Sequence, residues 1–139
     1  MSVRMSLVAA ALAIGTGYAL AQSAAPSPVT VAPAFRQTIP NIPGKSLVAV
    51  VVSYAPGAKS ASHHHASSAF ISAYVLSGAV RSQVDDEPAK VYRAGESWFE
   101  QPGAHHKISE NASATEPAQL LAIFVVDTDE KMLTTPDQK

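Results

Sequence analysis

Between residues 46 and 127 the apolar positions come in short runs, each closed by a turn signal and each too short for a helix. The segment 46–54 (SLVAVVVSY) is rich in valine and ends at Pro56-Gly57, which predicts a strand. Residues 69–76 (AFISAYVL) predict the next one, ending at Ser77-Gly78. Residues 79–84 resume directly after it, as the second arm of a hairpin would. Asp85-Asp86-Glu87-Pro88 is a polar turn. Short strands are then expected at 90–93, 97–100 and 105–109, separated by Ala94-Gly95 and by Gln101-Pro102-Gly103. A polar loop, 110–117, leads into the last strong strand, 119–127 (QLLAIFVVD). Some seven short strands with regular turn punctuation predict a closed all-β sandwich or barrel.

The two ends read differently. Residues 1–21 have the form of a secretory signal peptide. Arg4 supplies the positive start, 7–20 is almost wholly apolar or small, and Ala19-Leu20-Ala21 places small residues where a signal peptidase cuts. The apolar stretch is interrupted by Gly15-Thr16-Gly17 and is short for a membrane span. The expectation is cleavage after Ala21, no stable membrane anchor afterwards, and a periplasmic or secreted protein. Residues 22–34, uncharged and built mainly from Ala, Ser, Pro and Val, read as a flexible leader. Pro40 and Pro43 keep the approach to the first strand extended. A folded domain is expected over 35–128, followed by a polar, peripheral tail at 129–139.

Composition narrows the chemistry. A chain of 139 residues argues for one domain. It holds no cysteine, which excludes disulfides and thiolate ligands together, so any metal must sit on His, Asp or Glu. The formal charge is −1 and no basic cluster exceeds two residues, which argues against a nucleic-acid partner.

All five histidines fall in two short stretches, His63-His64-His65 and His105-His106. Alternate residues of a strand share a face, so His63 and His65 point one way and His64 the other. Two imidazoles at that spacing can reach one ion, and a third from a neighbouring strand would leave positions open for water or substrate. A triple histidine alone also fits a solvated loop; the distant pair beside Pro102-Gly103 is what suggests two converging elements. Only one of His105 and His106 can join the set, because adjacent strand residues face opposite ways. The aromatic residues Phe70, Tyr74, Trp98, Phe99 and Phe124 are read first as core or sheet packing. Trp98 and Glu100 share one side of their strand, Ser97 and Phe99 the other.

These residues resemble the cupin superfamily. Gly57, five residues, His63-x-His65 and then Gly78 are similar to its first motif, with one or two extra residues before the second glycine. Gly95, five residues, Gln101-Pro102-Gly103, two residues and His106 are similar to its second, with Gln101 where a proline is expected and Asn111 one place late. The resemblance implies a double-stranded β-helix, or jelly-roll barrel, and selects His106 over His105 as the third ligand. His64 and His105 are then exposed or support the ligands from behind. The glutamate of the first motif should stand near Ile71, and there is no Asp or Glu before Asp85. The sequence therefore looks like the three-histidine variant found in some cupin oxygenases. Three neutral imidazoles would leave the ion's double charge uncompensated. Glu100 is the nearest acidic substitute, but it is read as a surface-facing strand residue in preference to a ligand.

The implied function is one divalent transition metal (Fe, Mn, Ni, Cu or Zn) in a dioxygenase-like enzyme acting on a small organic substrate. A non-catalytic periplasmic module binding a metal or metabolite is the alternative. A metal-dependent isomerase or epimerase is weaker, since it needs a titratable residue in the cavity and only His64, His105, Glu100 or a tyrosine is on offer. Homodimers are common among proteins of the family the chain resembles, so a homodimer is one possible assembly, though no residue of the chain specifies it.

Overall fold

The computed structural model describes residues 28–138, so the expected signal peptide at 1–21 lies outside the described residues. Ten strands follow in order: β1 (Val29–Thr38), β2 (Lys45–Tyr54), β3 (His63–His65), β4 (Phe70–Ser77), β5 (Ala79–Val84), β6 (Lys90–Arg93), β7 (Ser97–Glu100), β8 (His105–Asn111), β9 (Ala118–Asp127) and β10 (Thr134–Pro136). They form two five-stranded antiparallel sheets, β1-β2-β9-β4-β7 and β10-β3-β8-β5-β6. This is the expected all-β double-stranded β-helix, and each of the seven strands read from the sequence lies within two residues of an observed one.

Alternation makes the core. Along β9 the even-numbered positions Ala118, Leu120, Ala122, Phe124 and Val126 are buried, while their neighbours face outward. Ile71, Ala73 and Val75 do the same in β4, and Val80 in β5. Each fully buried valine or isoleucine contributes about 1.5–3 kcal/mol relative to exposure, so the valine-rich strands supply a core without help from a ligand. Trp98 and Phe124 are in that core, whereas Phe70, Tyr74 and Phe99 lie on the outer face, where Phe70 and Phe99 stack at 6.0 Å.

Two stretches behave differently from expectation. Val29–Thr38 pairs with β2 along almost its whole length, so from Val29 onward the leader is a strand. Its residues are mostly exposed and carry little pattern of their own. The partner's unsatisfied edge amides and carbonyls recruit it, and the irregularity between Pro33 and Phe35 absorbs the proline. The tail is not loose: Thr134, Thr135 and Pro136 pair with His65, His64 and His63, and Leu133 packs against the core. The segment lies over the histidine strand because β3 would otherwise present an open edge.

Candidate metal site

The site is built on the pairing of β3 with β8. His63 stands directly opposite His106, and His64 opposite His105. Cross-strand partners point to the same side, so the ladder sorts four imidazoles into an inner pair and an outer pair. His65, two residues beyond His63, joins the inner pair. His65 and His106 are buried and His63 is partly so. The inner ring centroids are 4.9 Å apart for His63 and His65, 5.2 Å for His63 and His106, and 5.9 Å for His65 and His106. One ligand nitrogen from each lies within 4.8 Å of the others. The structure thus brings together the three residues singled out by the motif register.

Glu100 corrects the sequence reading. It is 2% exposed, not on the surface, because β7 turns Trp98 and Glu100 inward together. Its Oε2 lies 2.8 Å from His65 Nε2 and its Oε1 3.4 Å from His106 Nδ1, while the Trp98 indole N–H donates to Oε1 at 3.0 Å. The inner cluster is therefore three imidazoles and one carboxylate, in place of the uncompensated imidazole set expected. His64 and His105 lie on the opposite face and touch Asp137, not the inner rings' ligand atoms.

The surroundings fix the rings. His63 Nδ1–H donates to the Ala61 carbonyl at 2.8 Å, which leaves the Nε2 lone pair available. Ser82 Oγ lies 2.8 Å from His106 Nε2, so the other ring nitrogen is the one facing Glu100. Burial lowers the pKa of His106 to about 4, against the opposing charge of Glu100, and lowers that of His63 as well. Both rings are neutral near pH 7, the form in which imidazole binds a metal. Burial works to raise the pKa of Glu100, but the contact with His65 and the proximity of His106 outweigh it and hold the carboxyl below its ordinary value. An ionised carboxylate beside the neutral rings of His63 and His106 gives the pocket a negative bias.

A cation fits these residues. Both ring nitrogens of His65 and Oε2 of Glu100 are buried without a well-directed hydrogen bond among the described residues, although Nε2 and Oε2 approach to 2.8 Å. Buried polar atoms are rarely left in that condition. Ligand atoms at right angles around an ion, each about 2.1 Å from it, are about 3.0 Å apart, close to this separation.

The cluster opens into a cavity of about 650 Å3 with largely apolar walls, including Val50, Val52, Ile71, Leu120 and Phe124. Tyr54 also lines it, its hydroxyl held by Ser109 Oγ at 2.7 Å. Leu133, Thr134 and Pro136 of the tail form part of the wall. Nothing local in the sequence marked Ser82 or the tail for these positions. The alternation that pairs Trp98 with Glu100 was the one signal that could have placed the carboxylate inside.

Comparison with known proteins agrees with the architecture. A conserved Klebsiella pneumoniae protein with a double-stranded β-helix domain superposes with a TM-score of 0.63 at 18% identity, over 83% of this chain and 89% of that one. The cupin domain of an XRE-family transcriptional regulator from Enterobacter cloacae gives 0.57 at 18% identity, over 70% and 95%. Oxalate oxidase in complex with the substrate analogue glycolate gives 0.56 at 22% identity, over 74% of this chain but 53% of that one. At these identities the likeness is one of fold, and the fold carries both an oxidase and a regulator domain. A search of curated proteins finds no match to the sequence. Residues 50–124, more than half of the chain, match the cupin domain model Cupin_2, a span that takes in all three inner histidines and Glu100: the chain belongs to the cupin family.

Proposed function

We propose that this protein is an exported cupin that binds one divalent transition-metal ion through His63, His65, His106 and Glu100, and acts as a metal-dependent, oxygenase-type enzyme on a small organic molecule. The observation that carries the metal reading is the convergence of His65 Nε2 and Glu100 Oε2, buried atoms 2.8 Å apart and, among the described residues, without directed hydrogen bonds. A bound ion would supply Lewis acidity and open coordination positions. The residues of the chain do the rest. The apolar walls exclude water and accept an organic body, and the cluster at one end orients polar groups of the ligand. Ser82, the Ala61 carbonyl and Trp98 hold the ligating side chains in place.

A specific observation favours a second reading, a non-catalytic module that binds a metal or metabolite. The titratable lining residues outside the cluster are Tyr54, engaged with Ser109, and Lys59, paired with Glu110 at 3.2 Å. Neither is an obvious free general acid or base. Elemental analysis of the tag-free mature protein tests the metal. Oxygen uptake with diketones, thiols and phenols, after loading with each candidate metal in turn, separates the two readings. Turnover supports the enzyme; retention of metal without turnover supports the module. Export rests on the residue pattern of 1–21, and an N-terminus at Gln22 in protein from the periplasmic or culture fraction would bear it out.

A further inference from the structure

The outer face of the same ladder holds a second cluster. His64 and His105 are directly opposed across β3 and β8, with rings stacked at 4.0 Å and 12°. Asp137, just past β10, meets both: Oδ1 is 3.1 Å from His64 Nδ1, and Oδ2 is 2.8 Å from His105 Nε2. Ser62 Oγ donates to Asp137 Oδ2 at 2.6 Å and lies 3.0 Å from His105 Nε2. The backbone pins the carboxylate too, since the Asp137 N–H donates to the Ser62 carbonyl at 3.0 Å. One ligand atom from each of His64, His105 and Asp137 lies within 4.8 Å of the other two.

We propose that His64, His105 and Asp137 form a second site for a divalent transition-metal ion of the zinc or copper class, back to back with the inner cluster. The donor set is two imidazoles and one carboxylate, which zinc and copper both accept. A cross-strand pair holds its Cβ atoms about 5 Å apart, so both rings reach a common point above the sheet. Parallel rings cannot both aim a lone pair at one ion, so one must tilt out of the stack. The His64 side chain is 54% exposed and free to do so. The carboxylate is already placed between the two rings and held by Ser62 from two directions.

The site has a structural consequence. Asp137 belongs to the tail, whereas the histidines belong to β3 and β8. An ion shared among them fastens the tail to the sheet beside the cavity wall formed by Leu133, Thr134 and Pro136. Occupancy of the outer site therefore stiffens one side of the inner cavity without touching the inner ligands.

Zinc titration of the tag-free chain, stripped of metal and followed by calorimetry, tests the proposal. The wild type should bind two ions. Asp137→Asn or His64→Ala should bind one, with the outer affinity reduced at least tenfold. The double variant His63→Ala with His106→Ala should keep one ion and lose it when Asp137→Asn is added. Hydrogen exchange of the tail amides should slow on adding zinc to the wild type and stay unchanged in Asp137→Asn. A wild-type stoichiometry of one that Asp137→Asn and His64→Ala both leave intact would overturn the outer site while leaving the inner one standing. Loss of the ion in the inner double variant alone would do the same. Circular dichroism identifies any variant that has failed to fold; the single exposed substitutions Asp137→Asn and His64→Ala then carry the test.

Discussion

Glu100 stands directly opposite Ile71 in the ladder between β7 and β4, and both side chains are buried in the same cavity wall. The relationship explains how a first motif without its glutamate can still have a carboxylate at the site. Residues opposed across antiparallel strands share a face, so a side chain at either position projects into the same space. The carboxylate is on the neighbouring strand, delivered to His65 from across the ladder.

Exchange of the two side chains follows directly. Glu100→Gln keeps the shape and the Trp98 contact but removes the charge, and should weaken metal binding by about 10–100-fold with the melting temperature of the metal-free protein little changed. Ile71→Glu combined with Glu100→Ile should recover much of that affinity. Calorimetric titration of the three proteins checks both statements; full affinity in Glu100→Gln would remove the carboxylate from the ligand set.

His63→Ala and His106→Ala should each abolish high-affinity binding at the inner site while leaving a folded barrel. The core is carried by Ile71, Val75, Val80, Phe124 and Val126, which need no ion to pack. Metal content and circular dichroism on the same samples provide the check, and an unfolded His63→Ala would make the ion structural.

Ser82→Ala should cost about tenfold in affinity without removing any ligand. The buried hydroxyl is 2.8 Å from His106 Nε2, and its loss frees the ring to rotate. Ser82→Thr, which restores a hydroxyl, should recover part of the loss in the same titration.

Acid should destabilise the metal-free protein. The folded pKa of His106 is about 4, below its ordinary 6.5, and that of His63 is shifted the same way, burial being the main cause of both. Between pH 6.5 and 4 the unfolded chain therefore binds more protons than the folded one, so stability falls as pH drops through that window. The loss from His106 should be about 1–3 kcal/mol, read from urea denaturation at pH 7.5 and 4.5. His106→Asn should flatten the profile.

Gly78→Ala should destabilise by about 2–4 kcal/mol and shift the thermal midpoint down in both metal-free and loaded protein. Gly78 has φ of +69°, and an added Cβ would sit 2.5 Å from the Pro117 carbonyl oxygen and 2.9 Å from Ala118. The backbone at 117–118 cannot retreat cheaply, because Ala118 is buried at the start of β9.

Strand positions between 46 and 127, and the common side of His63 and His65, were legible in the linear order of residues. Both follow from local rules, alternation along a strand and turn residues that punctuate it, whereas the choice of His106 over His105 came from the resemblance to the cupin motifs. The carboxylate at Glu100, the hydroxyl at Ser82, the paired strand at Val29–Thr38 and the tail beside the cavity were not. Each depends on which strand lies next to which, and that choice is made by long-range pairing. Glu100 looks like any surface carboxylate until β7 is laid against β4. Asp137 looks like a solvated tail residue until β10 closes the edge of β3.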